Sequence, residues 1–321
     1  MYRSFFGLRD NPFNVNPDPR FLYVTRHAQE ALSCLMYGVQ SRKGFILLTG
    51  EVGTGKTTLL NKLLDWLHRH RVATAFVFNS RLDDAQFLDF MMADFGITTK
   101  SSMKSQMLMR LNHWLLERYR AGETAVLIVD EAQNLSLDVL EEIRLLTNLE
   151  TATDKLLQIV LSGQPELEHK LQKPELRQLR QRITLRCRTH ALTLEETAGY
   201  MTERLRIAGA NGQPIFTSEA VRAVHTYSQG IPRVVNLLCE HSLVSAFVDQ
   251  QRPIAPKTVE EVAREFELDE VDSPTRPAVQ GTGENLNVIE ALRNLTVLVE
   301  RLKRGEKITP ETMKGTYEPN S

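Results

Sequence analysis

The chain has 321 residues, 42% hydrophobic and 25% charged, with a formal net charge of −1. That is soluble globular composition, long enough for two compact units, and its near-neutral balance leaves a local basic face open. No apolar run reaches the roughly 18 residues that argue for a membrane span, and the opening MYRSFFGLRDNPF lacks the apolar core and cleavage site of a signal peptide. Cys34, Cys187 and Cys239 are far apart in the sequence and odd in number. They read as ordinary thiols of a reducing compartment, which makes the cytoplasm the expected location.

Residues 1–24 carry Tyr2, Phe5, Phe6, Phe13, Phe21 and Tyr23 and are interrupted by Pro12, Pro17 and Pro19. Prolines at that spacing exclude a helix interior, so the segment is expected to lie extended over something apolar. A helix is expected over 26–40. Short apolar runs then alternate with longer helical patterns: FILLT (45–49), TAFVFN (74–79), AVLIVD (125–130), LQIVLS (157–162) and ITLRCRT (183–189). Continuous runs of this kind, separated by helices, predict buried parallel strands, and thus an α/β unit over 1–190 with helices on both faces of a five-stranded sheet. Over 191–268 the strand signals vanish, and four helical patterns predict a small all-helical unit, with Thr193 and Thr217 as N-caps. Residues 269–284 read as a flexible linker. Over 285–304, Val288, Leu292, Leu295, Val299 and Leu302 form a short heptad stripe, suited to docking on the body or on a partner. Residues 305–321 are expected to be disordered.

Gly50, Glu51, Val52, Gly53, Thr54, Gly55, Lys56 and Thr57 match G-x-x-x-x-G-K-[ST] in full, directly after an apolar strand and opening a helix, with Thr58 next in line. Glycines let successive backbone N–H groups turn inward as an anion nest, and the following helix N-terminus adds partial positive charge. Lys56 is expected on the β- and γ-phosphates of ATP and Thr57 on Mg²⁺. VLIVDE then ends an apolar strand in two carboxylates. Asp130 suits the Mg²⁺ shell, and Glu131 is placed to activate a water against the γ-phosphate. Further on, SQGIPRVVNLL sets Arg233 in a helix first turn behind Pro232, where the macrodipole disfavours a cation.

Taken together, GEVGTGKTT, LIVDE, LSGQPEL, an arginine cluster and then G-x-P-R on a helical unit resemble an AAA+ ATPase with a helical lid. FFGLRDNPFNVNPDPRFLY, KGFILLTGEVGTGKTT, VDEAQNL and SQGIPRVVNLLCEHSLVSAF are more narrowly similar to the ExeA-type ATPases, the general secretion pathway protein A family. The likeness covers residues 1–265, and the transposition ATPases of the TnsC and TniB kind share its core.

The resemblance implies that Phe13, Phe21 and Tyr23 pack near the adenine, plain core packing being the alternative. It makes Gln164 the sensor on the strand beside Asp130-Glu131, with Ser162 second. It also aims Arg233 at the γ-phosphate, so that nucleotide state moves the lid. Between 169 and 190 the chain carries seven Lys/Arg and one acid. An arginine there, Arg182 first and Arg180 second, is expected to reach a neighbouring subunit's nucleotide; the stretch also suits a nucleic-acid backbone, or a solvated face. Many ExeA-type proteins continue into a membrane-spanning segment and a cell-wall-binding region; these 321 residues show neither, so no direct cell-wall role is expected. The expected function is an oligomeric ATPase, ring or filament, driving assembly of a secretion, pilus or polysaccharide-export machine through a protein partner held by the C-terminal helix. The alternatives are an ATP-dependent DNA-binding regulator and a nucleotide switch with negligible turnover.

Overall fold

The computed structural model describes residues 1–14, 19–21, 23–78, 82–98 and 103–268. The linker, heptad helix and tail expected over 269–321 lie outside the described residues. In chain order the elements are α1 (Tyr2–Phe6), α2 (Arg26–Gln40), β1 (Phe45–Thr49), α3 (Lys56–Arg69), β2 (Ala73–Val77), α4 (Asp84–Asp94), α5 (Lys104–Arg120), β3 (Ala125–Val129), α6 (Leu137–Leu146), β4 (Leu157–Gly163), α7 (Pro165–Leu171), α8 (Arg177–Arg182), β5 (Leu185–Arg188), α9 (Leu194–Ile207), α10 (Ser218–Ser228), α11 (Pro232–Val248) and α12 (Pro256–Glu265).

The five strands form one parallel sheet in the order β2-β3-β4-β1-β5. The inner strands β1, β3 and β4 are buried along their whole length. β2 and β5 stand at the edges and are only partly covered, because an edge strand lacks one neighbour and part of its helical cover. One sheet face, with Leu47, Leu127 and Ile159, packs on α4, α5, α6 and α8. The other, with Ile46, Ile128 and Val160, packs on α2 and α3. Each face is apolar because a parallel strand has no solvent side.

Two expectations for the N-terminus need correction. Tyr2–Phe6 is a short helix ending at Gly7, which takes φ 70°; the prolines start at Pro12 and leave the first turn unhindered. The aromatic segment also does not share the core of the sheet. Phe6, Phe13 and Phe21 are buried with Tyr200, Val235, Leu238 and Val259 in the core of α9–α12. The chain thus begins on the helical portion, crosses to the sheet at α2, and returns after β5. Thr193 and Thr217 cap α9 and α10, and Thr193 forms a full capping box with Glu196.

Candidate active site

β1 is an inner strand, and the loop after it opens α3. This loop borders a cavity of about 440 Å³. Val52, Gly53, Thr54, Gly55, Lys56, Thr57 and Thr58 line it. Gly50 and Glu51 stand behind: the Lys56 Nζ donates to their carbonyls at 2.7 and 2.9 Å. Burial pulls the Lys56 ammonium below the ordinary lysine range, while Glu131 and Asp130 pull the other way. The loop is clamped to β5 by a 2.6 Å hydrogen bond between the Thr54 and Thr189 hydroxyls. Sequence reading missed Thr189, since only strand pairing brings β5 beside β1.

β3 delivers the two carboxylates. Asp130 is buried, and Thr57 Oγ1 donates to its Oδ2 at 3.4 Å. Glu131 lines the cavity from a left-handed backbone conformation, φ 53° and ψ 35°, uncommon for a residue with a side chain. Its Oε2 accepts from Gln133 Nε2 at 2.5 Å and from Gln164 Nε2 at 3.2 Å. Gln133 Oε1 in turn accepts from the Gln164 backbone N–H at 3.1 Å. Gln133 was not singled out from sequence, although VDEAQNL contains it; its reach across to the end of β4 is a tertiary fact. Ser162 is fully buried within β4, and its hydroxyl has no hydrogen-bond partner among the described residues. Gln164, which lines the cavity, is therefore better placed than Ser162.

Arg233 lines the same cavity from the helical portion, exposed, with no hydrogen bond or ion pair on its guanidinium among the described residues. Pro232 is the first residue of α11, and the Arg233 N–H donates to the Gly53 carbonyl at 3.3 Å. A Cβ on Gly53 would stand 2.7 Å from the Arg233 Cβ, and Gly53 has φ 80°. The helical portion thus rests on the phosphate loop through a glycine that only a missing side chain allows.

The cavity is also lined by Phe21, Tyr23, His27, His190, Tyr200, Arg204 and Asn236. Tyr200 donates to Asn236 Oδ1 at 2.8 Å, and buried Arg204 donates to Tyr200 and to the Pro12 carbonyl while its guanidinium lies 4.9 Å over the Phe21 ring. Of the aromatics expected here, Phe21 and Tyr23 line the cavity and Phe13 does not: it is fully buried, edge-on to Phe216 at 6.2 Å. Holding the Pro12 carbonyl on Arg204 turns the next side chain into the helical core. Arg182 does not line the cavity either; it is exposed and its Nη2 donates to Asn148.

The donor set suits Mg²⁺: Thr57 supplies a hydroxyl and Asp130 a carboxylate oxygen, hard ligands that leave room for phosphates and waters. Among the described residues no cluster of three or more His, Cys, Asp or Glu forms a cage for another metal.

Residues 39–171 match the family described as AAA domain. The chain is similar to General secretion pathway protein A of Aeromonas hydrophila, 45% identical over 248 residues, which is 77% of this chain and 45% of that protein. It thus spans less than half the length of this curated relative. Solved structures share the fold at low identity. Cdc6p of Pyrobaculum aerophilum is 18% identical with a TM-score of 0.59, covering 80% of this chain and 71% of that one. The ORC of Drosophila, solved bound to DNA, is 19% identical with a TM-score of 0.59, covering 80% and 65%. No helix among the described residues is long and apolar enough to cross a membrane.

Proposed function

The chain carries an AAA+ core of the general secretion pathway protein A type, and from that premise we propose that it binds ATP with Mg²⁺ and hydrolyses it within a homo-oligomer. The observation that carries this reading is the convergence of Lys56, Glu131, Gln164 and Arg233 on one cavity from four separate stretches of chain. The phosphates lie on the loop and the α3 N-terminus, where backbone N–H groups and Lys56 meet negative charge. The Lys56 ammonium leaves the loop carbonyls to do so. The base and ribose take the end lined by Tyr23, Tyr200 and Asn236.

Thr57 and Asp130 would hold Mg²⁺, which when bound would supply charge neutralisation at the phosphates. Glu131 accepts a proton from the attacking water, and the amides of Gln133 and Gln164 hold its carboxylate in place. Arg233 contacts the γ-phosphate from α11 and so ties the helical portion to nucleotide state. Arg182 is proposed as the arginine offered to a neighbouring subunit. The work done is assembly or remodelling of a partner, in a secretion, pilus or polysaccharide-export system, with residues 285–304 as the partner-binding segment.

Titration calorimetry with Mg-ATP tests the binding step: affinity is expected in the wild type and in Glu131→Gln and is lost in Lys56→Ala. Absent binding in the wild type would overturn the reading.

A second reading is favoured by the exposed Arg177, Arg180, Arg182 and Arg186, four cations on one short stretch of α8 and β5. It makes the chain an ATP-dependent DNA binder. Duplex DNA retained on filters with ATP, with affinity falling steeply as salt rises, supports it; no salt-sensitive affinity near micromolar sinks it.

A further inference from the structure

Cys34 and Cys187 are 153 positions apart, yet their sulfur atoms stand 2.7 Å from each other. Both are free thiols. Cys34 lies on α2 and is partly exposed, whereas Cys187 is buried on the edge strand β5. Less than about 1 Å of movement brings such a pair to the S–S bond length of about 2.05 Å.

The two elements that carry these thiols are also two walls of the cavity. The first turn of α2 contributes His27 and Ala28, and the end of β5 leads into Thr189 and His190, all lining it. The His27 and His190 rings lie 5.1 Å apart, tilted at 55°. Thr189 carries the hydroxyl that clamps Thr54 of the phosphate loop. One covalent bond between Cys34 and Cys187 therefore fixes the spacing of α2 and β5 at the end of the cavity assigned to the base.

We propose that Cys34 and Cys187 form a reversible dithiol–disulfide site, oxidised by a peroxide, which pins α2 to β5 and slows nucleotide exchange; the exchange part rests on the ATP reading above. Cys34, the more accessible sulfur, attacks a peroxide oxygen as its thiolate. The O–O bond breaks, leaving a sulfenic acid on Cys34 and one water from hydrogen peroxide. The Cys187 sulfur then attacks the Cys34 sulfur, the S–O bond breaks, and a second water leaves with the Cys187 proton. Two thiols lose two electrons and the peroxide gains them; a dithiol reductant reverses the step by exchange. Burial pushes the Cys187 thiol up, which keeps it from acting first. Cys239 is fully buried in the separate helical core and serves as an internal control.

The test is made on the full chain. It is treated with hydrogen peroxide, denatured, alkylated with N-ethylmaleimide and mapped by mass spectrometry. The expected result is one joined peptide holding Cys34 and Cys187, about two mass units lighter than the two thiol peptides together. Cys239 stays alkylated, and dithiothreitol restores all three thiols. The oxidised wild type is expected to melt roughly 5 °C or more above the reduced protein, and Cys34→Ser to show no such rise. Release of a fluorescent ATP analogue is expected to slow severalfold on oxidation in the wild type only. Both cysteines alkylated after peroxide, Cys34 carried on to sulfinic acid, or Cys34 joined only to Cys34 of another copy would overturn the site. A joined peptide with unchanged release overturns the exchange part. If the reduced protein takes up no analogue, the ATP reading falls and the exchange part with it, while the joined peptide still establishes the dithiol.

Discussion

At Glu131 the backbone, the side chain and two neighbouring amides act on one atom. The left-handed conformation at φ 53° swings the carboxylate out of the β3 line, and Gln133 and Gln164 both donate to its Oε2. An amide in its place keeps the shape but cannot take a proton. Glu131→Gln is therefore expected to lower phosphate release by roughly 10²-fold or more while ATP binding survives, measured as steady-state release beside calorimetry. Gln133→Ala removes one of the two amide donors and is expected to cut turnover about tenfold at unchanged ATP affinity, since Gln133 positions Glu131 without lining the cavity. Lys56, Asp130 and Glu131 were legible from sequence because their spacing is local. Gln133, Thr189 and Asn236 were not. Each gains its partner from a distant segment: Gln164, Thr54 and Tyr200.

Among elements, α11 meets both the phosphate loop and the helical core. Gly230, just before it, has φ 70°, and a Cβ there would stand 2.0 Å from the Leu192 carbonyl oxygen. Leu192 N–H also donates to the Gly230 carbonyl at 2.8 Å. Gly230→Ala must break that approach and is expected to destabilise by roughly 2 kcal/mol or more, read by chemical unfolding. The proposed phosphate contact of Arg233 accounts for a cation in the first turn of α11: the dipole penalty of about 0.3–1 kcal/mol is small beside a charge-assisted contact to phosphate. Arg233→Ala is expected to keep the fold and lose ATP-dependent oligomerisation in sedimentation. The strand runs were legible as elements from their apolar continuity. β5 was legible only as a strand, not as an edge, because its alternating exposure depends on having one neighbour.

Across the whole molecule, the sheet order places β1 between β4 and β5, so the phosphate loop meets Gln164 on one side and Thr189 on the other. No local pattern reveals that order; the AAA+ resemblance implied the fold, but not which core the N-terminal aromatics would join. Global stability should carry a mark of the helical core. His241, edge-on to Phe266 at 4.6 Å, is pushed down to about 4 by burial from an ordinary value of 6.5. The unfolded chain thus binds the proton first, and stability falls as pH drops from 6.5 toward 4, by up to about 3 kcal/mol. Glu240 works against this: burial raises its carboxyl, so the folded chain holds that proton longer and loses the benefit as pH rises through the raised value. His241→Phe is expected to flatten the fall of melting temperature between pH 7 and 5.

The claim on which the rest depends is that this cavity hydrolyses ATP between subunits. It is tested most directly by phosphate release with Mg-ATP across a series of wild-type protein concentrations, with Glu131→Gln as the blank. The proposed mechanism predicts a specific activity that rises with concentration and a blank that binds ATP without releasing phosphate. A rate independent of concentration, or a blank as active as the wild type, would contradict it.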